Sequence, residues 1–158
     1  MAQYAAGTKV STARSQEEID ATLRRFKAGK TIWMRDDEAG LAVVAFQRGL
    51  LTYKFALPFP KPGDPSIRWT PSRRLLRSAA EQQRFLDQEV RRRFRSLANY
   101  LKAVLDAVDS GIISAEEALL PYAMLPGGIT VNEHIGPQLA QMLETGVVPG
   151  ILGALPSG

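Results

Sequence analysis

Leu41-Ala42-Val43-Val44-Ala45-Phe46-Gln47-Arg48-Gly49-Leu50-Leu51-Thr52-Tyr53-Lys54-Phe55-Ala56-Leu57 is the stretch whose reading decides the fold. Two runs of β-branched and aromatic residues meet at Arg48-Gly49, the sequence form of an antiparallel hairpin. The reading predicts strands over Leu41 to Gln47 and Leu50 to Leu57. Side chains alternate across a strand, so Leu51, Tyr53, Phe55 and Leu57 share one face, the core face, and Thr52 and Lys54 share the wetter one.

Upstream, Thr31 to Arg35 has the same character, and Asp36-Asp37-Glu38-Ala39-Gly40 supplies the turn between it and Leu41. The three runs predict a β-meander. Before them, Ser15-Gln16-Glu17-Glu18 has the Ser-x-x-Glu form of a capping box, in which hydroxyl and carboxylate satisfy the unpaired amides of a helix start. Ile19, Leu23 and Phe26 follow at helical spacing, which predicts a short amphipathic helix from Ser15 to Lys27, ended near Gly29. Residues 1–13 are small and polar without periodicity and read as a flexible arm.

Downstream, Pro58, Pro60, Pro62 and Pro65 stop the sheet, because proline lacks an amide donor and fixes φ. Ser78-Ala79-Ala80-Glu81 is a second capping box and opens the longest predicted element, a helix to about Asp109 stopped by Gly111. Leu86, Val90, Phe94, Leu97, Leu101, Val104 and Val108 form one apolar stripe along it. Ser114-Ala115-Glu116-Glu117 starts a short helix that Pro121 kinks or ends. Thr130-Val131-Asn132-Glu133 starts a last one after the Pro126-Gly127-Gly128 turn, with Ile135, Leu139, Met142 and Leu143 inward, running to Gly146. The expected architecture is α+β: a three-stranded antiparallel β-meander packed on a long amphipathic helix, with short flanking helices. Residues 14–146 make one domain, and 147–158 an apolar, Pro- and Gly-rich tail.

The 158 residues, 45% hydrophobic and 23% charged, suit one globular domain. No cysteine is present, which excludes disulfides, thiolate metal sites and cysteine nucleophiles. No apolar run approaches the roughly 20 residues that cross a bilayer, and Met1 to Lys9 lacks a signal-peptide core. The expectation is a protein of the host-cell cytoplasm with no membrane contact.

Catalytic chemistry needs convergent groups, and few are on offer. His134 is the single histidine, and one imidazole cannot make the usual zinc site or a Ser-His-Asp set. Asp36, Asp37 and Glu38 are oxygen donors at a turn, where adjacent acids are ordinarily solvated. Gly127-Gly128 has neither Walker nor Rossmann spacing, so it reads as a turn. No catalytic residue, metal or cofactor is expected.

Charge gives the stronger signal. Between Arg68 and Arg95 lie nine arginines against Glu81, Asp87 and Glu89, a local net of +6 in a chain whose total is +4. Arg68, Trp69, Arg73, Arg74 and Arg77 fall in the loop before the long helix. Arg84, Arg91, Arg95 and Lys102 fall on one flank of that helix at about 100° per residue, beside the apolar stripe. Phosphate binders use such tracks, and single-strand binders add aromatic faces for bases. Asp87 with Arg91, and Glu89 with Arg93, stand at i,i+4, which also predicts simple helix-surface pairs. Arginine is equally at home in protein interfaces, so the two expected partner classes are nucleic acid and another protein, a second copy of the chain included.

Arg14-Ser15-Gln16-Glu17-Glu18-Ile19 with Leu23-Arg24-Arg25-Phe26, and Leu125-Pro126-Gly127-Gly128-Ile129-Thr130-Val131 with Pro137-Gln138-Leu139, resemble a family of small phage and prophage proteins without an assigned function. The order of a β-meander followed by a long helix is similar, at the level of topology, to phage single-strand annealing proteins. Those likenesses imply a phage accessory protein that binds nucleic acid. The alternative is a protein-binding module that inhibits a host defence system or host enzyme.

Overall fold

A computed structural model of the chain describes residue 5 and residues 7–147. The uncharged tail expected from Val147 onward therefore lies, beyond its first residue, outside the described residues. The elements run α1 (Thr12–Arg25), β1 (Lys30–Asp36), β2 (Leu41–Arg48), β3 (Leu51–Pro58), α2 (Pro65–Arg68), α3 (Ala79–Asp109), α4 (Ala115–Leu119), a 3-10 turn (Leu120–Tyr122) and α5 (Val131–Thr145). This is the expected α+β arrangement of a three-stranded antiparallel sheet with a long helix and short flanking ones.

The sheet order is β1-β2-β3, with Trp33 opposite Val44 and Val44 opposite Phe55. Gly49 opens the two-residue turn at φ 61, the backbone region that glycine enters without a Cβ penalty. The inward residues alternate as the strand period requires: Ala42, Val44 and Phe46 on β2, and Tyr53, Phe55 and Leu57 on β3, are all buried. Against them lie Ile19 and Leu23 of α1, Phe26 at its C-cap, and Val90, Phe94, Ala98, Leu101 and Leu105 of α3. Trp33 is the one inward side chain of β1 that is not exposed. It stacks on Phe94 at 5.7 Å and donates its indole N–H to Asp20 Oδ1 at 2.9 Å.

Three of the four predicted capping boxes are present: Ser78 with Glu81, Ser114 with Glu117, and Thr130 with Glu133. The fourth is corrected. Helix α1 starts three residues before Ser15, capped by Ser11, whose hydroxyl accepts from the Arg14 N–H. Ser15 is instead fully buried inside α1, and its Oγ has no hydrogen-bond partner among the described residues. Tertiary contact explains the shift: Glu18, the expected cap partner, is drawn away to cations of α3, and Ser15 lies on the buried face of α1 with Ile19 and Thr22. Between β3 and α3, Pro65 does not simply extend a loop but occupies the first turn of α2, where a missing N–H costs nothing.

The second correction concerns α5. Ile135, Leu139, Met142 and Leu143 do not point into a core, since no residue of this helix is buried and Leu143 is 87% exposed. Its start is fixed by the Gly127-Gly128 turn, at φ 94 and 83, and by Lys54, which donates to the Gly128 carbonyl at 3.0 Å and pairs with Glu133 at 3.4 Å. Beyond that start it meets the described chain chiefly at the 3-10 turn.

Candidate nucleic-acid interface

The loop joining α2 to α3 is built as a miniature hairpin. Trp69 and Leu76 form an antiparallel bridge, Thr70 N–H donates to Leu75 O at 3.0 Å, and Arg77 N–H to Arg68 O at 2.8 Å. The tip closes by Arg73 N–H to Thr70 O at 2.7 Å, with Arg73 held in the left-handed region at φ 54. That conformation costs an ordinary residue about 1 kcal/mol and persists only where surrounding bonds enforce it.

Arg77 braces the base of this hairpin. Its Nη1 donates to the carbonyls of Ser66, Ile67 and Trp69 at 2.8, 2.9 and 2.6 Å, while the guanidinium lies 4.1 Å over the Phe85 ring of α3. Ile67, buried beneath, pins the other end. The loop thus presents Arg73 and Arg74 at its tip on a rigid base, with Trp69, Leu75 and Leu76 exposed around them. Grooves of about 500 and 330 Å³ flank it, the first reaching Arg84 and the second running between Trp69 and Phe85.

The nine basic and aromatic positions expected to form one track separate into three groups. Arg68, Arg73, Arg74 and Arg84 make no side-chain hydrogen bond or ion pair among the described residues, and Trp69, 38% exposed, follows Arg68 and lines a groove with Arg73. Arg77 is the loop's brace. The remaining three lie along the α1–α3 seam, where their donors are engaged. Arg91 donates twice to Gln88 Oε1, Arg95 binds Glu18 at 2.7 Å, and Lys102 binds the same carboxylate at 2.5 Å. The Lys102 bond lowers the Glu18 pKa most, burial opposes it, and Arg95 lowers it further.

Of the two expected helix-surface pairs, Glu89 with Arg93 forms at 2.5 Å, and Arg92 joins it at 3.0 Å. Asp87 with Arg91 does not form, because Asp87 takes a bond from Gln83 instead. Sequence spacing could not have revealed Glu18 as the counter-ion of α3, since it lies 77 and 84 residues away from its two partners.

The other candidates stay local. His134 is exposed on α5 with Gln138 beside it. Asp36 caps its own turn through the Ala39 N–H, and Asp37 pairs with Arg35 at 2.6 Å. Among the described residues no cluster of acidic or histidine side chains is arranged to hold a metal ion, and no helix is long and apolar enough to cross a membrane. Comparison of the chain with protein-family models, with curated proteins and with solved structures finds no match.

Proposed function

We propose that this chain is a nucleic-acid-binding accessory protein of phage type that grips the phosphate backbone with Arg68, Arg73, Arg74 and Arg84 and stacks a base on Trp69. The observation that carries the reading is that Arg73 and Arg74, on a loop braced by Arg77 beside the exposed indole of Trp69, and Arg68 and Arg84, on the helices at either end of that loop, have no side-chain partner among the described residues. Elsewhere in the basic stretch each guanidinium donates to an acceptor in the protein, so the guanidinium groups with all donors open among the described residues are these four. A braced loop loses little entropy on binding, and arginine's planar fork suits phosphate oxygens. An exposed aromatic face beside such cations favours a single strand, whose bases are free to stack. Contacts of this kind carry no sequence preference of their own.

A second reading, a protein-docking module that inhibits a host protein, draws on Leu75 and Leu76, which are 68% and 54% exposed beside the same arginines. Salt separates the two. Titration of labelled single- and double-stranded oligonucleotides at about 50 and about 200 mM salt should show affinity falling by orders of magnitude if several phosphates are neutralised. Arg73→Ala/Arg74→Ala/Arg84→Ala should flatten the log–log salt slope by about 2 on a single strand, at about 0.7 per phosphate. Unchanged affinity of that variant at low salt sinks the nucleic-acid reading. A complex with a host protein that survives high salt would replace it.

A further inference from the structure

On the opposite side of α3 from the α1 seam, a groove of about 370 Å³ opens beside the edge of β3. Its floor is aromatic. Tyr122 stacks on Phe55 with ring centroids 4.0 Å apart, and Tyr100 meets both rings edge-on at 6.4 and 6.5 Å. The rim is cationic: Arg92 and Arg93 share the single carboxylate of Glu89, and Arg93 Nε is fixed by the Pro58 carbonyl at 2.8 Å. Two guanidinium groups against one carboxylate leave one positive charge at the rim. Burial, with the Tyr122 hydroxyl 3.4 Å away, pushes Tyr100 up to about 12, and the phenol, uncharged at neutral pH even at its ordinary value, does not repel an anion.

Phe85, on which the loop's Arg77 lies, is on the same side of α3 as this groove. At about 100° per residue, Phe85 at the loop and Arg92, Ser96 and Tyr100 at the groove fall within roughly 80° of one another. Fifteen residues separate Phe85 from Tyr100, about 22 Å at a rise of about 1.5 Å per residue. A stacked strand advancing about 3.4 Å per nucleotide covers that distance in about six nucleotides.

We infer that the Phe55–Tyr100–Tyr122 groove is a second base-stacking station for the same single strand, with Arg92 and Arg93 holding the adjoining phosphate. The inference rests on the nucleic-acid reading and adds a path and a length to it: a strand enters at Trp69, follows the face of α3 that carries Phe85, Arg92 and Ser96, and reaches Tyr100. Tyr100 is the ring to test, because it is 42% exposed and its removal leaves the Phe55–Tyr122 stack in place.

The experiment uses oligodeoxythymidine probes on the whole chain. The twelve-nucleotide probe spans both stations, and the four-nucleotide probe is too short to do so. Tyr100→Ala should weaken the long probe about tenfold, as the loss of one stacked base does, and leave the short one unchanged. Tyr100→Phe, which keeps the ring and loses only the hydroxyl, should restore long-probe affinity. A long probe with 5-iododeoxyuridine at one end should photocrosslink to Tyr100. If the long probe binds in a manner that needs Arg73 and Arg74 but Tyr100→Ala changes nothing and no crosslink reaches Tyr100, the second station is wrong and the loop reading stands. If neither probe binds at about 50 mM salt, both are wrong.

Discussion

Glu18→Gln is the single substitution that tests the packing of the two main helices most directly. The Glu18 carboxylate accepts from Arg95 Nη1 at 2.7 Å and Lys102 Nζ at 2.5 Å, and lies 3.6 Å from Arg14 Nε. Glu18 and Arg95 are only about a quarter exposed, so solvent screens that bond less than a surface pair, whereas Lys102 and Arg14 regain water readily. A charge-assisted bond in such a place contributes about 1.5–3 kcal/mol, and the glutamine carbonyl still accepts one hydrogen bond, which leaves a net loss of about 1–2 kcal/mol. For a chain of this size that corresponds to about 2–8 °C in Tm.

The pH dependence gives the sharper check. Lys102 and Arg95 lower the Glu18 pKa in the folded state relative to its ordinary 4.5, so the contribution is fully present above 4.5 and is lost as pH falls through the lower folded value. Urea unfolding followed by circular dichroism at pH 7 and again near pH 3 should therefore show a gap between wild type and variant that narrows in acid. A gap of the same size at both pH values, or none at pH 7, would refute the role assigned to Glu18.

Other outcomes follow from single residues. Ser15→Ala removes a buried hydroxyl that has no partner among the described residues and adds helix propensity, so it should stabilise the chain by about 0.5–2 kcal/mol in the same unfolding assay, and a clear destabilisation would mean that the hydroxyl is hydrogen-bonded. Gly40→Ala should destabilise by about 2 kcal/mol or more, because φ is +65 there and the added Cβ would meet the Phe59 carbonyl at 2.4 Å. Arg77→Ala should leave global stability within about 1 kcal/mol, yet speed amide hydrogen exchange at Thr70 and Arg77. If their exchange is unaltered, Arg77 does not brace the loop.

The sheet was legible because alternation over Leu41 to Leu57 is a backbone-level pattern: a one-residue slip would expose Tyr53, Phe55 and Leu57 together. Ser78, Ser114 and Thr130 were legible as caps for a similar reason, since capping is completed within four residues. Ser15 carries the same pattern, but its Glu18 has competing partners on α3 that no local reading contains. In α5 the apolar spacing was read correctly as helical, but spacing does not say what a helix face meets, and here the described chain provides almost nothing for it.

The candidate site divides along the same line. Sequence by itself determined where positive charge is dense and that Trp69 stands within it, because composition and order are covalent facts. Only the tertiary structure decided which charges remain unmatched. Glu18 reaches Arg95 and Lys102 across 77 and 84 residues, Arg77 turns inward to three carbonyls, and Phe55, Tyr100 and Tyr122 converge from three separate elements. Counter-ions and stacked rings act through space over a few ångströms, and distance along the chain carries no information about that separation until the helices have packed.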